Sequence, residues 1–252
     1  MKEAFFFRKK PTRAKTVVMN PYKRVLLKLS GQALMGDQPY GLSHEACLEW
    51  AQGIKELVDS GVQTAVVIGA GNIFRGIQGE KLGLARTPAD HMGMLATVMN
   101  GIALEQAILK VGGHAMLMSA IDCHPIAAPY HWQTALHHLE KKCALIFVGG
   151  TGSPYFTTDT AAALRASEIG ADVLLKATKV DGVYSKDPIL YPDAVRYETL
   201  TYSEALSQKL NVMDATAFAL CMANNIPIRV FNMKTKKLKD VLQNKNLGTL
   251  VH

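Results

Sequence analysis

Four stretches of this chain end in residue types suited to holding an anion: Lys28-Leu29-Ser30-Gly31, Gly69-Ala70-Gly71-Asn72, Gly149–Thr158 and Lys176-Ala177-Thr178-Lys179. The richest is "VGGTGSPYFTTDT", residues 148–160, with three glycines, four threonines and an aspartate where an apolar run meets a helical pattern. Glycines let backbone N–H groups approach an anion closely, and a helix N-terminus adds partial positive charge. One such turn is ordinary chain punctuation. Several at the ends of apolar runs point to a polyanion, most simply phosphate. Lys28 adds a cation beside the small residues Ser30 and Gly31, and Arg75 follows Gly71-Asn72 with a planar fork suited to phosphate oxygens. The plain alternatives are a solvated lysine at a strand end and helix caps at Asp159 and Asp90.

Other chemistries fit less well. The Walker A spacing G-x-x-x-x-G-K-[ST] is absent. Gly69-Ala70-Gly71-Asn72-Ile73-Phe74 begins like a dinucleotide fingerprint but has Phe74 in its sixth position, with no ribose-binding acid at the expected distance. Cys123-His124, His131, His137 and His138 match no common zinc spacing, so no metal-ligating residues are assigned. The cysteines Cys47, Cys123, Cys143 and Cys221 are scattered and read as reduced thiols. Met92, Met94 and Met99 fall near helical spacing and read as core or subunit contact.

Positioning these residues requires alternating strands and helices. Short apolar runs at Val25–Leu29, Val62–Ile68, His114–Met118, Ala144–Val148, Asp172–Lys176 and Ile228–Phe231 read as buried parallel strands. Helical patterns lie between them: from the Ser43 cap to about Asp59, from Thr87 to Val111, from Trp132 to Glu140 and from Thr160 to Ile169. The segment Lys179–Tyr202 reads as an irregular or hairpin-like insertion. The expected fold class is α/β, a three-layer sandwich with a mainly parallel central sheet covered by helices. Ligands of such sheets sit beyond the carboxyl ends of the strands, where all four stretches fall.

The chain has 252 residues, is 48% hydrophobic and carries a formal net charge of +7. Residues 1–24 hold eight of the 28 Lys and Arg against one acid, Glu3, which accounts for the whole +7; the remainder balances at 20 against 20. The basic charge therefore describes a tail. Residues 1–21 are expected to be a basic, disordered extension and residues 22–252 a single catalytic domain. No uninterrupted apolar run reaches the roughly eighteen residues that cross a bilayer, and the tail lacks the apolar segment of a secretory signal. A cytoplasmic protein is expected, with no membrane and no nucleic-acid partner for the core.

The chain from about Tyr22 to the C-terminus resembles bacterial uridylate (UMP) kinases, of the amino acid kinase superfamily. The resemblance rests on ordered runs: "KRVLLKLSG" (23–31), "VVIGAGNIFRG" (66–76), "DHMGMLATVMNG" (90–101), "LMSAI" (117–121), "GTGSPYFTTD" (150–159), "ADVLLKATKVDGVYSKDP" (171–188), "LTYSEAL" (200–206), "VMDATAF" (212–218) and "IPIRVFNM" (226–233). It implies an amino acid kinase-like fold and transfer of the γ-phosphoryl of ATP to UMP, with Mg2+, in pyrimidine nucleotide biosynthesis. Lys28, Arg75, Asp159 and Lys176 would be catalytic. ATP would meet Lys28, Leu29, Ser30, Gly31, Gly71, Arg75, Thr178, Tyr184 and Asp187. UMP would meet Ala70, Asp90, Thr151, Gly152, Ser153, Pro154, Tyr155, Phe156, Thr157 and Thr158.

The family also implies a homo-oligomer, commonly a hexamer, with feedback by UTP. Several positions depart from its pattern: Ala70 replaces a glycine, Tyr184 a phenylalanine and Gln32 a glutamate, and the loop 36–41 is "GDQPYG". At positions matching a basic GTP-effector site stand Glu105, Leu109, Met116 and Cys143, and only Trp132 agrees. Weak or absent GTP activation is expected. The alternatives are an amino acid kinase acting on a carboxylate or carbamate, and a non-catalytic nucleotide sensor.

Overall fold

A computed structural model describes residues 21–74, 79, 82–235, 237–244 and 246–252. The basic tail up to residue 20, and Arg75, lie outside the described residues. Nine strands form one sheet among the described residues: β1 (Arg24–Leu29), β2 (Gln63–Ile68), β3 (Ala115–Ser119), β4 (Ala128–Pro129), β5 (Ala144–Val148), β6 (Val173–Thr178), β7 (Thr199–Leu200), β8 (Ile228–Asn232) and β9 (Thr249–Val251). Their spatial order is β4-β3-β5-β2-β1-β6-β8-β9-β7, and every pairing is parallel except β8 with β9. The expected sheet is therefore present. The carboxyl ends of β1, β2, β5 and β6, which carry the four polar stretches, all lie along one edge.

The central strands are apolar on both faces because each face is covered by helices. Val25, Leu27 and Leu29 of β1 point into one core, with Trp50, Ile54 and Leu57 of α1 (His44–Asp59), Leu104 and Ile108 of α2 (Arg86–Lys110), and Leu238 and Val241 of α7 (Leu238–Gln243). Leu26 points into the other core, with α3 (Trp132–Glu140), α4 (Thr158–Ile169), α5 (Tyr202–Ser207) and α6 (Ala215–Ala223). Strand alternation decides this division and also sends Lys28 to the α4 side. The same alternation places Lys176 of β6 on that side, beside Leu174. The parallel register pairs Lys28 directly with Lys176.

Local chemistry sets the helix starts. The Ser43 hydroxyl caps α1, with Glu45 in its first turn. Thr201 and Glu204 form a reciprocal capping box on α5. Ser30 opens the short 3-10 turn Gly31–Leu34 that leads from β1 toward α1. The segment after β6 is hairpin-like, as expected, with one antiparallel bridge between Tyr184 and Arg196. α2 differs from the sequence reading in one respect. By length and composition it could cross a bilayer, yet half of its most apolar stretch is buried inside the protein. It is apolar because it covers a core.

Candidate functional site

Two lysines on adjacent strands, side by side on one face, repel each other unless an anion separates them. Here the anion is Asp159, from the first turn of α4. Lys28 Nζ lies 2.6 Å from Asp159 Oδ1, and Lys176 Nζ donates to Asp159 Oδ2 at 2.7 Å. All three side chains are largely buried, at 12%, 16% and 14% exposure. Lys176 also donates to the Val212 carbonyl at 2.7 Å. The Lys28 contact is a close charge pair that occupies the other oxygen of Asp159.

The cluster holds two cations and one acid, and the acid gains most from that imbalance. Burial pushes the Asp159 carboxyl upward, but Lys28 and Lys176 together overcome it and hold its pKa below the ordinary value. Burial dominates at Lys176 and lowers its pKa. Asp159 opposes that shift, while Lys28 repels the same charge. Two adjacent lysines that share one carboxylate, with Asp214 acting on Lys176 from further away, are suited to a phosphate.

Asp159 is free for this task because it is not the cap of its helix. Thr157 is: its hydroxyl oxygen accepts from the N–H groups of Asp159, at 3.0 Å, and Thr160, at 3.3 Å. Thr157 in turn donates to Asp214, and the Thr160 hydroxyl reaches both Asp214 oxygens at 3.1 Å. Asp214 caps α6 through the Ala217 N–H at 2.9 Å. One carboxylate thus fixes the start of α4 to the start of α6, and Val212, two residues earlier, holds Lys176.

The first two glycine turns interlock. Asn72 and Asn100 are buried and exchange side-chain amide bonds of 2.9 and 2.7 Å. Asn100 also donates to the Gly69 carbonyl at 2.7 Å, and Asn72 to that of Gly41 at 2.8 Å. Gly31 packs against this pair. A Cβ there would strike Asn72 Oδ1 and lie 2.7 Å from the Gly69 carbonyl oxygen. The third turn is held from α2, where the Thr97 hydroxyl accepts from the Gly149 N–H at 2.8 Å. Gly149 and Gly150 both have positive φ, 76° and 61°, which a side chain would strain.

Two clefts are lined by segments that follow the strand ends. One, of about 160 Å³, lies between the second and third turns, with Ala70, Gly71, Asp90, Phe156, Thr157 and Thr158 in its wall. Thr151 to Tyr155 form the outer turn of the same loop. The other, of about 430 Å³, lies under the insertion, with Tyr184, Asp187, Leu210 and Asn211 in its wall. Neither wall includes Lys28, Lys176 or Asp159, but Thr158 of the first precedes Asp159 and Asn211 of the second precedes Val212, which holds Lys176. A larger cleft, about 810 Å³, opens on the α1 side of the Gly31–Leu34 turn. Its wall carries Asp37, Glu49, Lys179 and Lys234 on the surface side of that turn, so cavity size alone does not mark the site.

A profile of the amino acid kinase family matches residues 23–232. A uridylate kinase of Protochlamydia amoebophila (strain UWE25) is 55% identical over 232 residues, covering 91% of this chain and 92% of that protein. The crystal structure of a UMP kinase from Bacillus anthracis superposes with a TM-score of 0.88 at 36% identity, over 92% of this chain and 96% of the other. One from Ureaplasma parvum gives 0.87 at 39%, over 91% and 98%. The chain belongs to the amino acid kinase family, among its uridylate kinases.

Within that family frame, the structure brings together Lys28, Ser30, Gly31, Gly71, Asp159 and Lys176 at the carboxyl edge of the sheet. Leu29 faces the core and offers only its backbone. Thr178 ends β6 on the same edge. Asp90 is not a cap. α2 begins at Arg86 after an uncapped Ala85, and Asp90 stands one turn further on. Sequence reasoning assigned no role to Asp214, Asn72, Asn100, Thr97 or Arg86. A signal existed for Asp214, an N-cap residue before an apolar helical run. Asn100 and Thr97 sit inside a helix with no local mark. Of the positions matching the effector site, Glu105 is turned inward and accepts from the Leu117 N–H at 3.0 Å, while Leu109 and Trp132 are exposed.

Proposed function

We propose that this chain transfers the γ-phosphoryl group of ATP to UMP, giving UDP and ADP, as a step of pyrimidine nucleotide biosynthesis. The observation that carries the reading is the pair of register-matched lysines, Lys28 and Lys176, bridged by Asp159. A phosphate oxygen of UMP attacks the γ-phosphorus. The bond from that phosphorus to the bridging oxygen breaks, and its electron pair leaves on ADP. The attacking phosphate is already anionic at neutral pH, so no general base is required. Catalysis is positioning and charge stabilisation. Lys28 and Lys176 stabilise the transferring group, Asp159 holds the two ammonium groups apart, and Arg75 adds a third cation.

ATP is assigned to Lys28–Gly31, Gly71, Arg75, Thr178, Tyr184 and Asp187, and UMP to Ala70, Asp90 and Thr151–Thr158. The smaller cleft suits the acceptor side and the cleft under the insertion the adenosine. Among the described residues no three His, Cys, Asp or Glu side chains cluster as a metal cage. Mg2+ fits as an ion carried mainly on the phosphates and water. When bound, it withdraws charge from the phosphates.

The protein acts in the cytoplasm as a homo-oligomer, of hexamer size by analogy with the family. Met92, Leu95, Met99, Ile102 and Leu109 support this, forming an exposed apolar stripe along one face of α2. Glu105 at the effector position argues against activation by GTP. The test is a coupled ADP-release assay offering UMP, CMP, dCMP, aspartate and acetylglutamate in turn. Turnover with UMP alone is expected; turnover with an amino acid in place of UMP would overturn the acceptor assignment.

A further inference from the structure

Arg86 is a residue that helix energetics does not explain. It stands in the first turn of α2, where the backbone dipole disfavours a cation, and that turn contains no acid. Its partner is Asp90, four residues on. In an i, i+4 pair the acid is better placed on the N-terminal side, so this pair runs in the weaker order. Helix stability would favour the reverse arrangement.

The pair instead builds a site. Arg86 Nε contacts both oxygens of Asp90, at 3.0 and 2.8 Å. Asp90 Oδ2 also accepts the Tyr155 N–H at 2.7 Å. The Arg86 guanidinium lies over the Tyr155 ring, 5.4 Å from its centroid. Tyr155 has a φ of 73°, a conformation that L side chains rarely adopt, and 67% of it is exposed. An exposed aromatic residue in a strained conformation needs something to hold it there, and the bond to Asp90 and the guanidinium contact provide it. Arg86, Asp90 and Tyr155 thus tie the first turn of α2 to the loop that forms one wall of the smaller cleft.

A carboxylate can accept about four hydrogen bonds. Arg86 occupies the edge between the two oxygens and Tyr155 one further position. About one acceptor position is then left on this carboxylate, which lines the smaller cleft. One ribose hydroxyl matches that position, and a 2′-deoxyribose lacks the 2′-hydroxyl that could fill it. We propose that Arg86 is a specificity-determining positioning residue, which orients the remaining acceptor position of Asp90 for the acceptor's 2′-hydroxyl and fixes the Tyr155 loop beside it. The inference rests on the assignment of UMP to this cleft.

The experiment is steady-state kinetics of the full chain with UMP and dUMP, comparing wild type, Arg86→Ala and Arg86→Lys. Arg86→Ala is expected to raise KM for UMP roughly tenfold, with kcat within about twofold and KM for ATP unchanged. Preference for UMP over dUMP in kcat/KM should fall by a similar factor. Arg86→Lys keeps the charge without the planar fork and should recover part of the affinity. An unchanged UMP-to-dUMP preference in both folded variants would reduce Arg86 to a surface ion pair and overturn the proposal. Wild-type inactivity toward UMP would instead overturn the acceptor assignment, and the proposal with it.

Discussion

Replacing Asp159 by Asn changes one charge and almost no volume. It leaves Lys28 and Lys176 adjacent, largely buried and without their shared counter-ion. At about 4 Å and an effective dielectric of ~20, each lysine loses roughly 4 kcal/mol of gross attraction. Much of this is returned, since the acid no longer needs to be desolvated and Lys176, already easier to deprotonate than an ordinary lysine, can lose its proton. Removing one partner of a buried pair typically costs about 3–5 kcal/mol net. For a chain of this size each kcal/mol corresponds to roughly 2–4 °C, so Tm should fall by at least about 6 °C. Phosphate then becomes the missing anion. Saturating ATP should therefore raise the Tm of Asp159→Asn by more degrees than it raises that of wild type, while kcat for UMP falls by two orders of magnitude or more. Thermal denaturation with and without ATP, alongside the coupled assay, measures both effects. A variant as stable as wild type with an equal ATP-induced shift would refute the counter-ion role.

Asn100→Leu should cost about 3 kcal/mol, because the Gly69 carbonyl and both ends of the Asn72 amide lose buried partners; urea unfolding measures the loss. Gly31→Ala should leave the core intact and reduce turnover at least tenfold, because the methyl displaces the Gly69 carbonyl or the Asn72 amide; circular dichroism with kinetics separates the two effects. Stability should also depend on acid. Asp159 has a folded pKa below its unfolded one, so its contribution is present above the ordinary carboxylate value of 3.8 and lost as pH falls through the folded value. Asp159→Asn should flatten that acid limb in a Tm–pH series. On the alkaline side, kcat/KM for ATP should fall below the ordinary lysine value of 10.5, since deprotonated Lys176 no longer stabilises phosphate; Lys176→Arg should move that limb upward.

Much of this protein is written locally. The apolar runs at 25–29, 62–68, 144–148 and 172–176 fall on β1, β2, β5 and β6 to within two residues, because a strand buried on both faces must be apolar throughout. Ser43 marked its helix, since capping is settled by neighbours in the chain. The glycine turns and Lys28 were visible for the same reason, each being a residue type at the end of an apolar run. Asp159 was ambiguous, as a first-turn acid reads equally as cap or ligand. The ambiguity ended only when Thr157 proved to be the cap.

Tertiary structure decided which charges meet. Lys28 and Lys176 lie far apart in the chain and become neighbours only through the β1–β6 register, which no local pattern encodes. Asp214 reaches Thr160 across 54 residues of sequence, and Asn100 reaches Gly69 across 31. Both asparagines of the buried pair look like surface residues until the sheet edge closes around them. Arg86 carried no mark in the sequence, and its partner at Tyr155 comes from another loop. Sequence determines the elements because hydrophobic period, turn chemistry and capping act over a few residues. The site depends on register and packing between elements, so its charge balance exists only in the folded chain.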